Sequence, residues 1–341
     1  TDAVKQVVRD GTICLTQKIW SDASNDLTKL PSIASWSLGG EFSENNSALL
    51  NSFEFIMNQV LATQAALIGT FQERFGESLS FPELPRPIHA EACDCILSFV
   101  DALSGVKSGS VNEVELNTVL SEMGHGYRLL VVLTNLFYLQ QNSLQEFSTI
   151  YSESPFGDLP PECLDTAVKH VNEAFQRVTD QFISLRHGSI ELILQDGLEN
   201  FDWQTEFAGR GIRPYVDRLL SELICIQNEI LDVSPAILRH LMIGLTRVIF
   251  AKCLQYLGAL KNVSFHAYLQ ARLEIEFIGQ KLVTAIDSET ESLIGAIEER
   301  LLQLVAKNMQ GTMEDVEQVL DSKIKILSEK TALQYCCFKY T

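Results

Sequence analysis

Histidines and cysteines are the residues here most able to do chemistry, and their spacing argues against most of it. Eight cysteines stand at 14, 93, 95, 163, 225, 253, 336 and 337, none in a CxxC pair. Cys225 and Cys253 fall inside apolar helical patterns, as buried free thiols in a reducing compartment do. His89 and Cys93 are four apart, so a helix would put them on one face, where two zinc ligands could sit. No second pair at ligand spacing accompanies them, and no metal site is expected. The remaining histidines, at 125, 170, 187, 240 and 266, are scattered. There is no GxxxxGK[ST] phosphate loop, no GxSxG elbow, no HExxH and no DDxxD-like run. Gly209-Arg-Gly211 lacks the third glycine and the preceding strand of a dinucleotide fingerprint and reads as a loop. Neither a cofactor nor catalysis is expected, although an all-helical enzyme whose site assembles only in space stays open as a reading.

Other charged and aromatic residues have two readings each. Glu289, Glu291, Glu298 and Glu299 fit the solvated face of a helix. Lys323, Lys325 and Lys330 lie near a helix end, where they could complement its dipole or form a docking site for an acidic partner. Trp203, in Asn200-Phe-Asp-Trp203, sits between helices as a buried hinge anchor or a ligand contact. Asn45-Asn-Ser47 and Asn262-Val-Ser264 match the glycosylation sequon, but the cysteine usage argues against secretion.

Composition narrows the class further. The 341 residues are 46% hydrophobic and 21% charged, which suits a folded chain with a large core. A net charge of −18 disfavours nucleic acid and anionic lipid as partners. No apolar run is long enough to span a membrane, so direct insertion is not expected. The chain begins at Thr1 without a basic-then-apolar leader, and it reads as a piece of something longer.

The apolar period is 3.6 almost throughout, so the elements that carry these residues are helices. After the N-cap Ser234 and Pro235, apolar residues recur from Leu238 through Leu241, Leu245, Ile249, Cys253 and Leu257 to Leu260. Further helices are expected at 46–75, 88–104, from a capping box at Ser110–Glu113 to about 140, and at 161–186, 212–231, 265–285, 288–308 and 313–336. The box Thr312–Asp315 opens the last of these. Gly124 and Gly126 predict a break or kink. Loops are expected at 37–47, 76–87, 105–110 and 152–161, with a kinked joint at 208–214. The expected architecture is all-α, an elongated rod of consecutive helical bundles, divided near 155 into a bundle over 1–155 and a C-terminal bundle over 156–341.

Five blocks carry a resemblance: Leu129–Leu136 (LLVVLTNL), Phe201-Asp202-Trp203, Ile212-Arg-Pro-Tyr215, Leu269–Ile275 (LQARLEI) and Leu333–Phe338 (LQYCCF). In order, over about 127–341, they resemble the C-terminal helical part of the exocyst component 2 family; residues 1–126 are similar only in helical character. The resemblance implies a non-enzymatic cytoplasmic scaffold that helps hold secretory vesicles at the plasma membrane before fusion. It implies other exocyst subunits as partners, components 1, 3 and 4 above all. The family binds Ral GTPases through an N-terminal immunoglobulin-like module, which no stretch of this sequence resembles, so Ral binding is not expected. Within the blocks, Phe201, Asp202, Trp203, Leu269, Gln270, Arg272, Leu273 and Glu274 are the candidate structural or partner-contact residues. Leu269 and Leu273, four apart, read as core with Arg272 bonding a neighbouring helix, and a partner contact is the other reading. A generic helical adaptor holding peptide segments in a groove is the alternative function.

Overall fold

The computed structural model describes residues 2–33, 42–75, 85–105, 119–152, 160–204, 211–305 and 313–340. The described residues are helical almost throughout and contain no strand, so the all-α expectation holds. The helices are α1 (Asp2–Ile33), α2 (Phe42–Phe75), α3 (Pro85–Leu103), α4 (Val119–Tyr138), α5 (Leu144–Ser152), α6 (Pro161–Leu198), α7 (Pro214–Val233), α8 (Leu238–Gly258), α9 (Phe265–Lys281), α10 (Ser288–Val305) and α11 (Met313–Lys330). Short 3₁₀ turns occupy Pro235–Ile237, Val283–Ala285 and Cys336–Tyr340. The chain forms two compact units, Thr1–Gln181 and Phe182–Thr341. Their division falls inside α6, whereas the sequence suggests one at the loop before it.

In the first unit α1 packs on α3 and α2, and α2 packs on α4 and α5. Its core holds Trp20, Leu27, Phe53, Met57, Phe99, Leu133 and Tyr151. The Phe53 and Phe99 rings stack at 4.7 Å. The first half of α6 belongs to this unit because polar ties hold it to α3: His170 Nε2 lies 2.7 Å from Asp101 Oδ1, and the Cys93 thiol donates to the Cys163 carbonyl. His89, the candidate zinc ligand, has its Nδ1 2.9 Å from the Tyr151 hydroxyl. Among the described residues no group of three or more His, Cys, Asp or Glu side chains could hold a metal.

Three boundaries correct the sequence expectations. α4 runs unbroken through Gly124 and Gly126. A helical glycine costs only about 1 kcal/mol, and the block Leu129–Leu136 beyond it is buried on every side. Its two polar members donate within the helix, Thr134 Oγ1 to the Leu130 carbonyl and Asn135 Nδ2 to the Val131 carbonyl, both at 2.8 Å. The irregularity comes later, as a π-helical turn at Leu139–Ser143, where the Ser143 hydroxyl donates to Glu54 Oε1 at 3.1 Å. α2 starts at Phe42, inside the expected loop, and α6 continues through Gly188 to Leu198. α3, by contrast, stops where a glycine can take φ +71°, at Gly105. The capping box at Ser110–Glu113 and residue Thr312 lie outside the described residues.

The second unit surrounds α8, which contacts α7 and α10, while α9 contacts α7, α10 and α11. Along α8, Leu241, Met242, Leu245, Ile249, Phe250, Cys253 and Leu257 are fully buried. Gly244 lets the last part of α6 come close: a Cβ there would stand 2.3 Å from the Ile183 side chain. Four polar links tie α6 to its neighbours, Arg186–Glu229, Ser189–Glu222, Lys252–Glu191 and Arg218–Asp196.

Candidate functional site

The candidate residues meet where α6 ends, α7 begins and α9 passes. α6 ends at Leu198, leaving carbonyls without intrahelical partners. Trp203 turns back, and its indole N–H donates to the Leu198 carbonyl at 2.9 Å. The ring is buried and meets Phe201 edge to face at 5.0 Å. The same turn fixes the start of α9. The Trp203 carbonyl accepts from the Ser264 N–H at 2.9 Å, and the Ser264 hydroxyl caps α9 by accepting from the Ala267 N–H. Asp202 stays at the surface and accepts from the Gln204 N–H at 3.0 Å.

Arg213 occupies the centre. Its extended backbone (φ −77°, ψ 155°) follows from Pro214, the first residue of α7. Its side chain therefore points back across the junction. Nη1 donates to the Gly197 carbonyl at 2.8 Å. Nε and Nη2 grip the Glu274 carboxylate at 2.6–3.0 Å, and the Arg213 backbone N–H donates to Glu274 Oε1 at 3.0 Å. The guanidinium lies 3.8 Å from the Phe201 ring centre and 4.9 Å from that of Tyr215.

Glu274 is completely buried on α9. Besides Arg213 it accepts from the Tyr215 hydroxyl at 3.0 Å and from Gln270 Nε2 at 2.7 Å. Gln270 Nε2 also donates to the Gly211 carbonyl, closing the ring of contacts around the joint. Burial alone would lower the Arg213 pKa, but the hydrogen bonds and charge of Glu274 outweigh it and raise it. Burial first, then the Glu274 charge, lifts the Tyr215 phenol well above its usual range. The same two causes push the buried Cys253 thiol up to about 12. Both groups therefore stay neutral beside the ion pair.

Phe201, Trp203, Gln270 and Glu274 are thus brought together, and the other candidates are not. Leu273 is buried, Leu269 is half-buried and Asp202 is solvent-exposed. Arg272 reaches away to Glu298 on α10 at 3.2 Å. Sequence reasoning did not single out Arg213 or Gly197. A Cβ on Gly197 would stand 2.1 Å from Tyr215 Cγ, so glycine is what lets α6 meet α7 here. A carboxylate set among Leu269, Leu273 and Ile275, with a glutamine four residues before it, was the available signal for a buried polar junction.

A second set of contacts ties down the end of the chain. The Tyr335 hydroxyl donates to Asp217 Oδ1 at 2.6 Å. Gln227 Nε2 donates to the Cys337 carbonyl, and the Thr284 hydroxyl to the Phe338 carbonyl. The Tyr335 ring sits edge-on to Phe277 and stacks on Phe338.

The polar atoms of the junction are engaged by the chain itself. The sequence model of the family described as exocyst complex component Sec5 matches residues 1–338, and the chain belongs to that family. The match takes in residues 1–126, where the sequence alone offered only helical character. Exocyst complex component 2 of Mus musculus is 22% identical over 214 residues, 62% of this chain and 22% of the relative. The Homo sapiens protein gives the same figures. That of Drosophila melanogaster is 24% identical over 159 residues, 46% of this chain and 17% of the relative. The matched region is thus about a fifth of the length of these relatives.

Proposed function

We propose that this chain is a non-enzymatic assembly segment of the exocyst, which holds secretory vesicles at the plasma membrane before fusion by binding other exocyst subunits. The observation that carries this reading is the family match over 1–338, joined to an all-helical fold. The junction around Arg213 and Glu274 supports it, because a self-satisfied polar core specifies one arrangement of α6, α7 and α9 and so keeps the outer helix faces in register. Components 1, 3 and 4 are the proposed partners. Ral GTPase is not one, because the family's Ral-binding module resembles no part of this sequence. The proposed location is the cytoplasm, with recruitment to sites of exocytosis. Among the described residues no helix is long and apolar enough to cross a membrane, so recruitment would run through partners.

The test is affinity capture from cell lysate with the 341-residue chain as bait, read by mass spectrometry, with activated Ral added. Retention of exocyst subunits without Ral is the expected result. Recovery of no exocyst subunit, or retention of Ral, overturns the reading.

A further inference from the structure

The described residues leave a basic and apolar stripe on α11 uncovered. Lys323, Ile326 and Lys330 recur at helical spacing, and Leu333 stands in the turn just beyond the helix. Ile326 is 51% exposed and Leu333 90% exposed. Val283, 64% exposed, is adjacent to Thr284, which anchors the chain end at Phe338. The opposite side of α11 is accounted for: Ile324 is core, and the Ser328 hydroxyl donates to Gln280 on α9. Asp321, Lys325 and Glu329 line the shallow groove beside that contact.

The lysines give the stripe its meaning. The chain carries 44 acidic residues against 26 lysines and arginines, yet neither Lys323 nor Lys330 forms an ion pair among the described residues. The helix dipole accounts for Lys330 in the last turn, but its effect fades within one turn and does not reach Lys323. Two unpaired cations that alternate with exposed isoleucine and leucine select an occupant that is acidic where it meets the lysines and apolar between.

We propose that the Lys323–Leu333 stripe docks an acidic amphipathic helix of a partner protein, with apolar residues at three- and four-residue spacing against Ile326 and Leu333 and carboxylates against the lysines. This names the chemistry of a partner for the assembly role above and rests on that reading.

The probe is a fluorescein-labelled synthetic helix with leucines at that spacing flanked by glutamates, next to a copy with lysine for each glutamate. Both are titrated with the 341-residue chain and followed by anisotropy. The acidic peptide binds, the basic copy does not, and added salt weakens the complex. Lys323→Glu with Lys330→Glu weakens acidic-peptide binding by about tenfold and admits the basic copy. Ile326→Ser with Leu333→Ser removes binding with both lysines in place. Unchanged thermal melting shows that each variant is folded. No binding, equal binding of the two peptides, indifference to charge reversal, or lysine-dependent binding to phosphatidylserine vesicles instead of the peptide overturns the proposal. Exocyst subunits captured by a chain that ignores the peptide would sink this inference alone. Peptide binding by a chain that captures no exocyst subunit would sink the assembly reading and leave the surface.

Discussion

Two arginine–carboxylate links in the second unit do the same mechanical job in opposite surroundings. Arg213–Glu274 joins the entry of α7 to the middle of α9 with the carboxylate wholly out of water, whereas Arg247–Asp287 joins α8 to the start of α10 with both side chains partly solvated. The buried carboxylate needs every donor around it: Arg213, Tyr215 and Gln270. Asp287 instead shares its charge between Arg247 and the Thr290 N–H and hydroxyl that it caps, with Glu289 also 3.0 Å from Arg247. Burying an ion pair gains little net stability but makes loss of one partner costly, whereas a solvated pair is cheap to lose and answers to pH and salt. Phe201, Trp203, Gln270 and Glu274 gather at the first kind of link.

The largest expected effect comes from leaving half of the buried pair behind. Glu274→Ala or Arg213→Ala should destabilise the chain by about 3–5 kcal/mol in urea unfolding. Replacing both, as Arg213→Met with Glu274→Leu, should recover much of that loss, because no uncompensated charge remains. Gly197→Ala should come next, at about 1–3 kcal/mol, because the added methyl meets a tyrosine ring that Glu274 holds in place. Trp203→Phe keeps an aromatic side chain but gives up volume and leaves the Leu198 carbonyl without its donor, which should cost about 1–2 kcal/mol.

The solvated link should show the smallest effect and a pH signature that the buried one lacks. Arg247 first, then the Thr290 contacts, hold the Asp287 carboxyl far below its usual range. Its pKa is depressed by folding, so its stabilisation is fully present above the unfolded value, about pH 4, and is lost as pH falls below it. Asp287→Asn can still cap the helix, so it should cost at most about 1 kcal/mol near neutrality, chiefly through the charge lost to Arg247, and should flatten the fall in melting temperature below about pH 4. A variant that melts in acid as the wild type does would place the acid-sensitive group elsewhere.

Helix positions were legible because a sustained apolar stripe is a strong local signal, as along α8. Gly124 and Gly126 misled as helix punctuation: the cost of one glycine is local and small, and packing beyond it decides. The resemblance pointed to the right family from five short blocks, including both sides of the junction. The junction itself was hidden, since Arg213 and Glu274 stand 61 residues apart and nothing local marks them as partners. Gly197 was hidden too, because its role depends on a ring that another helix brings to it.

A double-mutant cycle on Arg213 and Glu274, by urea unfolding of Arg213→Met, Glu274→Leu and the variant that carries both, tests the central claim most directly. A coupling of about 2 kcal/mol or more is expected if these residues form one buried unit that fixes α6, α7 and α9. Additive effects, with coupling below about 0.5 kcal/mol, would contradict it.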